Sequence, residues 1–161
     1  MFKTKKYKGF TLVELLVVIS IVGLLTVAAT VLISTARQKS RDARRQGDLR
    51  QVYKALNMYL SEVVSGGQYP STSGTFYCLD NSSSGIRLGL LTNTGLLAAI
   101  PEDPLTSRTT VANGCYGYRS DGQDFKLMIL LETDDSSMEN DGGTTDLRYE
   151  IFTPGAQAWT N

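Results

Sequence analysis

The chain has 161 residues, 42% of them hydrophobic and 20% charged, which excludes wholesale disorder and leaves room for one apolar segment and one small folded domain. Its net charge of zero hides an imbalance: residues 1–54 carry 11 Lys/Arg against 3 Asp/Glu, and residues 55–161 carry 5 against 13. There is no histidine, which excludes Ser-His-Asp and Cys-His catalysis and most zinc sites.

The chain starts with a basic leader containing Lys3, Lys5, Lys6 and Lys8. Phe10 to Ile33 follows, a run of 24 residues without Pro, Lys or Arg, whose one charged residue is Glu14. A helix of that length spans about 36 Å, enough to cross an apolar bilayer core of about 30 Å. Val27-Ala28-Ala29 offers a secretory cleavage site, yet the apolar run exceeds the usual length of a signal core and continues through Val31-Leu32-Ile33. A plain anchor accounts for the length but not for Glu14. Positive charge flanks the run on both sides, with Arg37, Lys39, Arg41, Arg44 and Arg45 beyond it, so charge alone does not fix an orientation. An ionisable residue inside such a segment points to function.

Gly9-Phe10-Thr11-Leu12-Val13-Glu14 resembles the cleavage and methylation motif of type IV prepilins and of the pseudopilins of type II secretion. The resemblance implies a cut between Gly9 and Phe10, N-methylation of Phe10, and an assembly role for Phe10 and Glu14. It also implies partners: a prepilin peptidase/methyltransferase, an inner-membrane assembly platform, and identical or related pilin subunits in a helical filament. The precursor would cross the inner membrane once with its head extracytoplasmic, before joining a pilus or a periplasmic pseudopilus. In a continuous helix Glu14 lies one turn from Phe10. A buried carboxylate stays charged when paired, and the new amino terminus of an adjacent subunit is an available cation. The competing account has Glu14 reaching back to the headgroup layer.

No turn signal interrupts residues 34–65, so the helix is expected to run on for more than 50 residues in all. Arg37 to Asp48 reads as polar all round, with Asp42/Arg45 and Arg44/Asp48 at helical pair spacing. Leu49, Val52, Tyr53, Leu56, Tyr59, Leu60 and Val63 then form an apolar stripe, stopped by Gly66-Gly67 and Pro70. The basic cluster from Arg37 to Arg50 is assigned to headgroups or to acidic surfaces of neighbouring subunits. Direct nucleic-acid binding is not favoured, because no aromatic residues are interleaved.

Residues 66–85 are turn-rich, and Asn81-Ser82-Ser83 matches a glycosylation acceptor pattern. Leu88 to Ile100 has room for one or two short helices. The stretch from Ile100 to Pro104 resembles the segment before the sheet in major pseudopilins, with Leu105 where that subgroup carries an aromatic residue. Cys115–Arg119 and Phe125–Leu131 read as a hairpin around Asp121-Gly122, and Tyr149–Phe152 as a third strand. Cys78 and Cys115 allow one disulfide, closing a loop of about 38 residues worth roughly 4 kcal/mol by chain entropy; two buried free thiols are the alternative. A bridge would place the head outside the cytoplasm.

Between the last two strands, Glu132 to Asp146 is acidic and glycine-containing. Asp134, Asp141 and Asp146 are candidate calcium ligands, and the position resembles the calcium loop of major pseudopilins. The spacing matches neither that loop nor an EF-hand, so a solvated acidic loop is the favoured reading. No catalytic or cofactor-binding residue is assigned, and the chain is not expected to be an enzyme. The expected fold is α+β and pilin-like: a long N-terminal helix on an antiparallel sheet of about three strands. Its parts are a leader (1–9), a transmembrane and filament-core helix (10–33), an amphipathic continuation (34–65) and a globular head (66–161). The expected function is a structural subunit of a type IV pilus or type II secretion pseudopilus. The alternative is a membrane-anchored extracytoplasmic binding protein that does not polymerise.

Overall fold

Helix α1 (Leu12–Glu62) is one run of 51 residues, as the missing turn signals predict. The structure, a computed structural model, describes residues 9–62, 67–79, 88–105, 107, 109–133 and 135–160. The leader residues 1–8, Val63, the Asn81-Ser82-Ser83 pattern and Asp134 lie outside the described residues. The chain divides into two units, Met1–Arg37 and Gln38–Asn161.

In the first unit the large apolar side chains are exposed, Phe10 at 83% and Leu24 at 74% among them. Three hydroxyls in this stretch donate to carbonyls one turn back: Ser20 to Leu16 O at 2.8 Å, Thr26 to Val22 O and Thr30 to Thr26 O, each at 2.7 Å. Such bonds satisfy the hydroxyls within the helix, which suits an apolar surrounding that offers no other partner.

In the second unit the apolar stripe of α1 forms the floor of the core. Leu49, Val52, Ala55, Leu56 and Tyr59 are buried, with Tyr53 and Leu60 packed at the margin. They meet one face of a four-stranded antiparallel sheet ordered β1-β2-β3-β4. The strands are β1 (Tyr77–Cys78), β2 (Gly117–Ser120), β3 (Phe125–Ile129) and β4 (Tyr149–Phe152). β3 alternates: Phe125, Leu127 and Ile129 enter the core, while Lys126 and Met128 take the other face and are buried there too. The Phe125 ring centre lies 4.7 Å from that of Tyr69, 5.4 Å from Tyr53 and 6.2 Å from Tyr118. Short helix α2 (Gly89–Asn93) adds Leu91 to the same core.

The structure differs from the expectation in three places. The sheet has four strands rather than three, because two residues of the turn-rich loop pair with β2 as β1. Cys78 lies on β1 and Cys115 just before β2; they form the disulfide, with Cα atoms 5.7 Å apart. The β2–β3 hairpin turns through four residues, not a bare Asp-Gly pair. Asp121 Oδ1 accepts the N–H groups of Gln123 (2.8 Å) and Asp124 (2.9 Å), and Gly122 takes the left-handed backbone at φ +102° that other residues avoid. The acidic segment also contains helix α3 (Asp135–Glu139), where only a loop was expected.

Candidate assembly site

At the N-terminal end of α1, Thr11 and Glu14 bond reciprocally. The Thr11 backbone N–H and hydroxyl both donate to Glu14 Oε2 at 2.9 Å, and the Glu14 N–H donates to Thr11 Oγ1 at 3.2 Å. This is a capping box: Thr11 at the N-cap and Glu14 at the third helical position satisfy orphan donors of the first turn. The Thr-x-x-Glu spacing was present in the sequence, where it read only as part of a processing motif. Helix α1 begins at Leu12, so Phe10 precedes the cap and is not a full helical turn below Glu14 as a continuous helix would have it. Phe10 and Leu15 occupy the two positions of a hydrophobic staple. Both Thr11 donors go to Oε2, and Oε1 takes no hydrogen bond among the described residues.

Further along α1, in the second unit, the polar turn holds a buried ionic cluster. The Arg37–Asp48 stretch reads as polar all round, yet Arg45 is fully buried and Asp42 is 3% exposed. Arg45 grips Asp103 with two donors, Nε to Oδ2 at 2.7 Å and Nη2 to Oδ1 at 3.0 Å. Its Nη1 donates to Asp42 Oδ1 at 2.7 Å and to Glu132 Oε1 at 2.6 Å. Arg41 forms a second fork onto Glu132, with Nε 2.8 Å from Oε1. Asp42 also accepts the backbone N–H groups of Glu132 and Thr133 and the Thr133 hydroxyl. Two guanidinium groups thus face three carboxylates. The Arg41 and Arg45 donors hold the Glu132 carboxyl at about 2, well below its ordinary value. The cluster fastens α1 to the Asp103 segment and to the chain leaving β3. Helical spacing foretold only Asp42/Arg45; Asp103 and Glu132 are distant in sequence.

The acidic loop is organised around a different cation. Lys126 Nζ, fully buried, lies 2.6 Å from Trp159 O, 2.9 Å from Glu150 Oε2, and 3.2 Å from both Gln157 O and Thr144 Oγ1. Glu150 Oε2 also accepts the Thr144 N–H, and Oε1 the Thr145 hydroxyl. Asp141 gives one oxygen to the Gly143 N–H and the other to the Glu150 N–H. Burial pushes the Asp141 carboxyl up, against the pull of those two amides. A Cβ on Gly143 would come within 1.9 Å of Glu150 Oε2, so only glycine fits there. Asp146 is exposed, and among the described residues no group of three or more acidic, cysteine or histidine side chains is gathered for a metal. The last turn of chain is fastened by a second cation. Arg119 Nη1 donates to Thr160 O at 2.9 Å, and the guanidinium lies 4.8 Å from the Trp159 ring centre.

The family comparison bears on the capped end of α1. Residues 4–30 match the prokaryotic N-terminal methylation motif. That match takes in Gly9, Phe10 and the Thr11–Glu14 capping box, and it supports a type IV pilin-like or pseudopilin precursor. No curated protein and no solved structure matches the chain. The motif implies processing by a prepilin peptidase. The exposed apolar helix fits a membrane-anchored precursor.

Proposed function

We propose that this chain is a structural subunit of a filament, a type IV pilus or a type II secretion pseudopilus, and that its work is assembly and not catalysis. The observation that carries the reading is the Thr11–Glu14 box at the head of an exposed apolar helix, directly after Gly9-Phe10 and within the methylation motif. Hydrolysis of the Gly9–Phe10 bond leaves a carboxylate on Gly9 and an amine on Phe10, and a methyl group on that amine keeps it cationic at neutral pH. The Thr11 amide is not the bond that is cut, so the capping box survives processing. Glu14 then holds its helix end through Oε2 and offers Oε1 to the amino terminus of an adjacent subunit. The apolar side chains around it bundle with their counterparts as they leave the lipid. The Cys78–Cys115 bridge supports a head outside the cytoplasm.

N-terminal mass analysis of the chain from membranes tests the reading. A mature chain beginning at N-methylated Phe10 supports it. An intact Met1 terminus overturns it in favour of an anchored binding protein that does not polymerise, and a cut after Ala29 overturns it by removing most of the apolar run. The length of sheared filaments then separates a long surface pilus from a short pseudopilus.

A further inference from the structure

A groove of about 730 Å³ runs between α1, α3 and β4, within the second unit. Tyr53, Tyr149, Ile151 and Phe152 give it apolar lining, and Arg50 and Lys54 stand along its α1 wall. β4 ends the sheet, and among the described residues its outer edge has no strand neighbour. An open edge invites another strand, but here the Asp141 carboxylate takes the Glu150 N–H and blocks that pairing. What the groove offers is therefore side-chain chemistry.

Among the described lining residues, the charge not used in internal bonds is positive. Glu150 is consumed by Lys126 at 2.9 Å and by the Thr144 and Thr145 donors, and Asp141 by two backbone amides. Arg50 is exposed and touches only the Tyr149 hydroxyl, at 3.5 Å, and Lys54 is exposed without an ion pair among the described residues. A partner matching this wall presents carboxylates. Glu102, Asp121, Glu139 and Asp146 are exposed carboxylates of the same unit. A basic groove and exposed carboxylates on one molecule are complementary head to tail, the arrangement that builds an open helical polymer.

We infer that this groove receives exposed carboxylates from the head of a second copy of this chain, with Arg50 and Lys54 as its cationic wall. The inference rests on the filament reading and names one of its head contacts. The test uses the full chain, expressed with its peptidase and assembly machinery. A photoreactive phenylalanine analogue at position 54 is expected to cross-link to residues 102–146 of another copy. Arg50→Gln with Lys54→Gln, both at exposed positions, is expected to lower sheared-filament yield roughly tenfold, the Arg50→Glu/Lys54→Glu pair more, with Phe10 processing and the disulfide unchanged. Cross-links confined to lipid, nucleic acid or an unrelated protein overturn the inference, as do filaments at wild-type yield from both variant pairs. An unprocessed Met1 terminus would sink the filament reading itself. A processed, assembling wild type beside equally assembling variants sinks only this contact.

Discussion

Arg45 is a guanidinium with no exposed surface, kept charged by three carboxylates that no solvent reaches freely. Taking it away removes the one guanidinium shared by Asp42, Asp103 and Glu132 in a buried setting. Arg45→Ala is expected to cost about 3–5 kcal/mol, read as a lower denaturant midpoint of the full chain in detergent. Arg45→Lys should recover only a fraction, because an ammonium cannot fork onto Asp103 while reaching two other partners. A midpoint within error of wild type for Arg45→Ala would show the cluster to be idle. The same cluster sets an acid limit. Glu132 has a folded value of about 2 against an ordinary 4.5, so its contribution is complete above 4.5 and is lost as pH falls toward 2. The Arg41 fork is the first cause of that depression, so Arg41→Ala should move acid unfolding, followed by circular dichroism, to higher pH. Asp141, pushed up by burial, acts in the opposite direction. Two of the five members of this cluster were legible in the sequence as a pair: Asp42 and Arg45 stand at helical spacing. Asp103 and Glu132 were not, since nothing local marks a carboxylate that folding delivers from 58 or 87 residues away.

Among the elements, α1 was readable because it declares a period of 3.6 along Leu49–Leu60, and β4 because Tyr149, Ile151 and Phe152 are strand-favouring residues within four positions. β1 was not, because two residues cannot show an alternation; it exists because the Cys78–Cys115 bridge and the Tyr77↔Tyr118 register hold it to β2. The acidic loop hid its organisation in another way. It read as a solvated loop with calcium ligation as the lesser alternative, and nothing in it announced that Thr144, Glu150 and the Gln157 and Trp159 carbonyls converge on a lysine from β3, a strand whose sequence reads as apolar. Lys126 supplies from within the charge that a bound cation would bring. Lys126→Met should therefore cost about 3–5 kcal/mol by leaving Glu150 buried without its partner. It should also red-shift the emission of Trp159, the one tryptophan, as the tail loosens. A calcium chelator should leave the wild-type midpoint unchanged. A chelator-induced drop would show that the ammonium does not carry this role.

At the scale of the whole chain, the zero net charge conceals a basic first third and an acidic remainder, and the one carboxylate in the apolar run belongs to neither. Gly9, Phe10 and Glu14 were all visible in the sequence, but the sequence reading gave Glu14 one task where the structure shows a second. It closes the capping box through Oε2 before any neighbour is present. The two tasks separate by substitution. Glu14→Gln keeps a carbonyl oxygen for the Thr11 N–H, since glutamine also serves in a capping box, but it has no charge to offer an amino terminus. Glu14→Ala loses both. If pairing with the neighbour's terminus drives assembly, Glu14→Gln and Glu14→Ala should both reduce filament yield roughly tenfold or more, with normal cleavage after Gly9. If Glu14 serves only to cap its own helix, Glu14→Gln should assemble like wild type and Glu14→Ala should not. Sheared-filament yield beside the N-terminal mass of each variant decides between them, and normal filaments from Glu14→Gln would refute the charge pairing while leaving the capping box intact.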